Sequence, residues 1–333
     1  MEKIERDVAI IGAGPSGLFA VFECGFLGYS SVVIDALPQA GGQLAALYPE
    51  KPIYDIPGYP DILAGELVEK LQQQIAPFHP VYTLGHPVDA LEEADGTFTL
   101  RTKKAEIQAK VVIIAGGHGM FTPRKPQLDN LATYEDSGCV QYAITNKAQL
   151  AGKNVVIAGG GDSAVDWANL LADTANHVHV VHRRPDFRAA EASVQQMHQH
   201  HNVSLHTPFQ LHALEGTEGQ LASVTIKNAA SDATEVLTAD HLLCFFGMAP
   251  NPGPFADWGL TLEGKRIQTE PVTQKTTRHG ILAIGDMAAY PGKMGLILVG
   301  FAEAAQAAKA VQSIIDPDKK FKLQYSTSHK PGQ

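Results

Sequence analysis

The chain has 333 residues, 44% of them apolar and 18% charged, a globular composition with length for two domains. Its formal net charge of −9 argues against a general nucleic-acid-binding surface. Three cysteines, Cys24, Cys139 and Cys244, are far apart and odd in number, which excludes a disulfide scaffold and points to a reduced, cytoplasmic protein.

Val8 to Ile11 is a short apolar run of the kind a buried parallel strand shows. Gly12-Ala-Gly14-Pro15-Ser16-Gly17 follows at once, then a helical apolar pattern through Leu18, Val21 and Phe22. Gly12 lets the strand turn sharply. Gly14 keeps no side chain between the backbone and a pyrophosphate, and Gly17 lets the helix approach the strand. The unpartnered N–H groups of that helix, and its dipole, favour an anion. A second strand, Ser31 to Ile34, ends in Asp35, 23 residues after Gly12. That spacing suits a carboxylate gripping a ribose. Residues 8–22 are uncharged, as a signal segment would be, but Gly and Pro interrupt them and mixed charges precede them. A strand–turn–helix explains them better. No stretch has the roughly 18 apolar residues of a membrane span, so no membrane partner is expected.

A turn-rich loop follows at 38–43, and prolines make 49–61 irregular. A helix is expected over about 64–76, with Leu67, Leu71 and Ile75 on one face. Short strands are expected near 81–84, 87–92, 97–102 and 105–109, with Asp95-Gly96 as a hairpin turn. Val111 to Ala115 reads as a further buried strand, ending in Gly116-Gly117-His118-Gly119.

The pattern restarts at residue 154. Val155 to Ala158 is a strand, Gly159-Gly160-Gly161-Asp162-Ser163-Ala164 a second phosphate-type turn, and Val165 to Leu171 the start of a helix. Ala164 stands at the third glycine position, where a small side chain suffices. The next strand, His177 to Val181, ends in His182-Arg183-Arg184, with Arg188 beyond. No acid stands there. Guanidinium groups suit a 2′-phosphate, so this site should take NADP and not NAD. Two such turns imply two nucleotides in separate domains. His198 and His201 could share a helix face, but no Cys or carboxylate completes a ligand set, and no metal is expected. Strands near 203–206, 221–227 and 234–237 lead to a last one at 240–246. Ile281 to Ile284 is a strand ending in Gly285-Asp286, whose carboxylate could accept hydrogen bonds from a nucleotide's hydroxyls. An Ala-rich helix covers about 296–315.

Together the first turn, Gly41-Gly42-Gln43, GGGDSA, HRRPDFRA at 182–189 and AIGDMAAYPGK at 283–293 resemble the thioredoxin-reductase superfamily of flavoproteins. The resemblance implies two Rossmann-like three-layer α/β domains: FAD bound by 1–119 with 247–333, NADP by the inserted 120–246. Thioredoxin reductases carry Cys-x-x-Cys ahead of the second nucleotide motif. Here Tyr142-Ala143-Ile144-Thr145 stands at that spacing, so both thiols of a dithiol relay are missing. What remains, including LYPEKPIYDIPGYP at 47–60 and Ser326-Thr327-Ser328, resembles the bacterial ferredoxin–NADP reductases of thioredoxin-reductase type.

By that resemblance Asp35, Gln43, Tyr48, Val88, Phe121, Asp286 and Thr327 contact FAD, beside Gly12, Gly14, Pro15, Ser16, Gly17 and Gly42. Tyr48 stacks on the flavin, and Tyr325 stands where relatives place a His on its other face. NADP is assigned to Gly159, Gly160, Gly161, Asp162, Ser163, His182, Arg183, Arg184 and Arg188. The implied reaction passes a hydride between NADPH and flavin N5, and single electrons to or from ferredoxin or flavodoxin. No catalytic acid, base or nucleophile is required; Tyr48 and Tyr325 are the candidates to modulate the flavin. A homodimer is expected. The alternatives are an NADPH oxidase or diaphorase, a disulfide reductase using Cys139 or Cys244, and a non-enzymatic redox sensor. Lys51, Arg124, Lys125, Lys293, Lys319, Lys320 and Lys322 are candidates for a positive docking face.

Overall fold

The computed structural model describes residues 2–119, 122–249 and 253–322, together with Tyr325 and Thr327. The chain divides into two compact units, Met1–Phe121 with Pro250–Gln333, and Thr122–Ala249.

In the first unit the parallel strands Val81–Leu84, Ser31–Asp35, Glu2–Ile11 and Ala105–Ile114 lie side by side in that order. Glu2–Ile11 alternates which face it buries. Val8 and Ile10 meet the helices Pro15–Phe26, Ala64–Ile75 and Ile297–Ile315 through a shared apolar core. Ala9 and Ile11 meet a second core built with Phe98, Leu100, Phe255 and Trp258. Both sheet faces are covered there, which is why 8–11, 32–34 and 111–114 read as unbroken apolar runs.

The residues expected to form two strands, 105–109 and 111–115, form one, Ala105–Ile114. Its first half alternates buried and partly exposed residues and pairs antiparallel with Thr97–Arg101. Its second half is buried throughout and pairs in parallel with Ile281–Ala283. The change of neighbour changes the apolar pattern without breaking the strand. Likewise the strand expected at 87–92 is Ala90–Ala94, because Pro87 has no N–H for a ladder.

The second unit has a parallel sheet in the order Val140–Gln141, His241–Phe245, Asn154–Gly159, His177–Val181 and Val203–His206. An antiparallel sheet of Phe209–Thr217, Gln220–Asn228 and Thr234–Thr238 shares an apolar core with it through Val156, Ala158, Val224 and Ile226. Phe209–Thr217 has no clear signal: five of its residues are polar or Gly, and two register shifts interrupt its pairing. The helix Glu191–Gln199 ends before His201, so His198 and His201 do not share a helix face.

Candidate functional site: two glycine cradles

Each unit carries one turn between a parallel strand and a helix. In the first, the N–H of Gly12 donates to Ile34 O at 2.8 Å and that of Ala115 to Ile11 O at 2.7 Å. Gly12 has φ +111, and a side chain there would lie 2.3 Å from Ala115 O. One at Gly17 would lie 1.9 Å from Gly12 O. Protein packing therefore demands glycine at both. Gly14 is different: the nearest atom to an added Cβ is Gly42 Cα, at 4.0 Å. Its space is open, and it caps the helix Pro15–Phe26 with no side-chain bond to the N–H groups.

The second turn repeats this. A side chain at Gly159 would lie 2.7 Å from Phe245 O, whereas one at Gly161 would meet none of the described residues within 4 Å. Gly161 caps Asp162–Ala172, again with no side-chain bond. Where the first turn needs Gly17, the second has Ala164, fully buried. In both turns the open glycine is the one whose backbone a diphosphate would approach. The residues of both turns therefore fit a nucleotide diphosphate.

The surroundings differ in charge. Asp35 accepts from Ala13 N at 2.6 Å through one oxygen and from Leu37 N at 2.8 Å through the other. Burial pushes its carboxyl up, against the pull of these backbone donors. In the second turn the His182 ring lies on Gly160, 2.2 Å from where a Cβ would be, and stacks on Phe187 at 5.4 Å. Burial, with Arg183 and Arg188 nearby, holds its imidazole below the usual range. Its Nε2 is buried and has no hydrogen-bond partner among the described residues. Arg183, Arg184 and Arg188 are exposed. The N–H of Arg188 donates to Gly160 O at 2.6 Å, and Asp162 accepts from Ala190 N at 3.1 Å. Asp162 thus ties the arginine-bearing loop to the turn. Ser163 follows it in the first turn of the helix.

Around the first turn, the N–H of Gly41 donates to Ala13 O at 2.8 Å, which sets Gly42 beside Gly14. Gln43 lies near Gly117. Val88 has its side chain in the core, leaving only its main chain to face a ligand. Burial, and then the charge of Asp286, push the Tyr48 phenol up, so it stays neutral. Asp286 Oδ2 lies 3.6 Å from His118 Nε2. Both line a cleft of about 690 Å³ with Lys265, Arg266, Tyr290 and Lys293. Thr327 and Tyr325 are exposed, Tyr325 at 66%. Phe121 lies outside the described residues.

Two findings were not expected. Lys293, a candidate docking cation, has a side chain only 4% exposed and is ion-paired with Glu303. The sequence marks Glu303 only as a lone acid within the stretch Phe301–Ala310. All three cysteines are buried and unpaired. Burial, with Glu135 nearby, pushes the Cys244 thiol up to about 12. Among the described residues, no helix is long and apolar enough to cross a membrane.

Residues 6–312 match the family model for pyridine nucleotide-disulphide oxidoreductases. A ferredoxin–NADP reductase of Acidiphilium cryptum is 53% identical over 331 residues, 98% of this chain and 97% of its own. One from Gluconacetobacter diazotrophicus is 50% identical over 329 residues, 98% of this chain and 96% of its own. The solved thioredoxin reductase of T. acidophilum superposes with a TM-score of 0.79 at 24% identity, over 93% of this chain and 98% of its own, a likeness of fold. The match over nearly the whole length, on two nucleotide cradles of one design, places the chain in the pyridine nucleotide-disulphide oxidoreductase family, among the flavin-dependent enzymes of the ferredoxin–NADP reductase group.

Proposed function

We propose that the chain holds FAD in the unit made from its two ends and NADP in the inserted unit. It passes electrons between NADPH and ferredoxin or flavodoxin. One observation carries the reading: two open glycine cradles, one ending in the carboxylate of Asp35 and the other in Arg183 and Arg184. An acid suits a ribose with free hydroxyls, and guanidinium groups suit a ribose bearing phosphate.

The residues then divide the work. The turn at Gly12, Gly14, Pro15, Ser16 and Gly17 receives the FAD diphosphate, Asp35 its ribose, and Asp286 the hydroxyls of its flavin-bearing chain. Tyr48 is a neutral aromatic platform for the flavin, Gly42 and Gln43 border it, and Phe121 and Thr327 complete the site. Gly159, Gly160 and Gly161 receive the NADP diphosphate. His182 covers that turn, and Arg183, Arg184 and Arg188 hold the 2′-phosphate. Bound flavin supplies the exchange between two-electron hydride chemistry and single-electron transfer. The protein's part is binding and orientation.

Disulfide reduction is the weaker reading. A buried thiol held at about 12, as Cys244 is, offers almost no thiolate at neutral pH. The proposal carries with it a cytoplasmic homodimer, open to sedimentation analysis of the purified chain. The deciding experiment is stopped-flow reduction by NADPH, followed by a comparison of ferredoxin, flavodoxin, oxygen and thioredoxin as acceptors. Purified protein should be yellow with about one FAD per chain, and ferredoxin or flavodoxin should outpace the rest. A colourless protein that takes up no FAD ends the reading. Turnover with oxygen alone as fast as with either carrier makes it an oxidase.

A further inference from the structure

We propose that Glu303 is a positioning residue for the flavin, an inference that rests on the FAD reading above. Its carboxylate is buried, the residue being 2% exposed, on the helix Ile297–Ile315 beside Ala304, Ala307 and Ala308. Three donors converge on it: the N–H of Gly285 at 2.7 Å, the phenol of Tyr290 at 2.6 Å, and the ammonium of Lys293. Burial and the bond to Glu303 push the Tyr290 phenol up, so it remains a neutral donor.

A buried ion pair is a poor source of stability, since well-packed apolar residues of the same volume serve as well or better. Its location supplies the reason for it. All three donors belong to one stretch, 285–293, and that stretch carries Asp286. The Gly285 N–H belongs to the peptide joining Ile284 to Gly285, so Glu303 fixes the backbone immediately before Asp286. Gly285, at φ +67, also packs on the first glycine turn: a side chain there would lie 3.0 Å from Ser16 Oγ. Gly300, one turn before Glu303, packs on the same oxygen, which would lie 2.1 Å from an added Cβ. Glu303 therefore sets the separation between the two grips on one cofactor, its diphosphate at Ser16 and its hydroxylated chain at Asp286. The side chains of Glu303 and Lys293 are both buried, so they act through Asp286.

The test separates stability from positioning. Glu303→Gln keeps the volume but strands the Lys293 charge. The double variant Glu303→Gln, Lys293→Met removes both charges and should restore the melting temperature toward that of the wild type. Each protein is purified as holoenzyme. FAD affinity is read from the flavin fluorescence released on dilution, and flavin orientation from visible circular dichroism. The double variant should hold FAD at least roughly tenfold more weakly than wild type, with an altered visible spectrum. Recovery of melting temperature, FAD affinity and spectrum together would show Glu303 to be purely structural and overturn the inference. If the double variant does not fold, Tyr290→Phe decides, since it removes one donor and leaves the ion pair. Unchanged FAD affinity and spectrum in that variant would overturn the inference. Failure of the wild type to hold FAD would instead remove the reading on which the inference rests.

Discussion

His182 occupies in the second unit the place that Asp35 occupies in the first. Ile34 pairs with Ile11, the residue before Gly12, and Val181 pairs with Ala158, the residue before Gly159. Asp35 and His182 are the next residues along the chain. Asp35 takes the N–H of Ala13, and His182 lies on Gly160, the matching position of the second turn. The fold thus offers one position beside each glycine turn, filled once by an acid and once by an imidazole followed by two arginines.

That relationship predicts nucleotide preference. Each charge-assisted bond to a 2′-phosphate contributes about 1.5–3 kcal/mol. Arg183→Ala or Arg184→Ala should weaken NADPH roughly 10- to 100-fold, on the equivalence of about 1.4 kcal/mol per factor of ten, and barely change NADH. His182→Asp should erode the preference from the other side, by repelling the phosphate and offering NADH a ribose partner. Michaelis constants for both nucleotides check this. Equal losses for NADPH and NADH would show that the arginines do not read the phosphate.

The glycines predict a second contrast, between fold and ligand. Gly12→Ala forces a side chain to φ +111 and into Ala115 O. It should destabilise by about 1–3 kcal/mol or more. Gly14 has φ −71, which any residue adopts, and space beside it. Compared as apoproteins, Gly14→Ala should therefore melt at or slightly above the wild-type temperature. Its methyl group, however, fills the space where a diphosphate meets the backbone. FAD retention on gel filtration should fall sharply in that variant. A Gly14→Ala protein that keeps its full FAD would mean that the cradle is not where the diphosphate lies.

The turns, their flanking strands and Asp35 were legible because each rule acts within a few residues of chain. Other features depend on what the chain later packs against. Lys293 looks like a surface cation in sequence, and only Glu303, ten residues on, makes it a buried one. Glu303 among alanines looks like one polar face of a helix until Gly285 and Tyr290 are seen to donate to it. The match of His182 to Asp35 needed strand register, which no single stretch encodes. The single strand Ala105–Ile114 was divided for a related reason: its two halves have different neighbours, and burial followed the neighbours.

Histidines in the second unit predict a dependence on acid. His179 Nδ1 lies 3.1 Å from His206 Nε2, and its ring centroid is 4.5 Å from that of His177. His206 in turn faces Glu235 at 3.2 Å, and His177 faces Ser204 at 2.9 Å. Burial, then the His177 and His206 rings, lower the His179 imidazole to about 4. The unfolded value is about 6.5, so between these two values the unfolded chain binds more protons. The contribution is present above pH 6.5 and is lost as pH falls toward 4. Between these limits the melting temperature of wild type should fall about 2–4 °C further than that of His179→Gln. Parallel curves for the two proteins would assign the acid sensitivity to other groups.

Ferredoxins and flavodoxins are acidic, and this chain carries a net charge of −9. Docking therefore needs a local positive surface that overcomes a repulsive overall field. Lys293 cannot serve, because its ammonium is buried against Glu303. Lys125 is engaged with Glu135 at 2.8 Å, which offsets its charge. Lys319, Lys320 and Lys322 are exposed and close in sequence, beyond the helix Ile297–Ile315. They are the best remaining candidates. Reversing all three to Glu should raise the Michaelis constant for ferredoxin about tenfold or more. The turnover number with ferricyanide, a small carrier, should not change. For the wild type, ferredoxin reduction should slow as added salt shortens the Debye length from about 30 to 8 Å. The reversed variant should show less of that slope, since the charges responsible for it have gone. A ferredoxin rate indifferent to both salt and charge reversal would place the carrier on another surface.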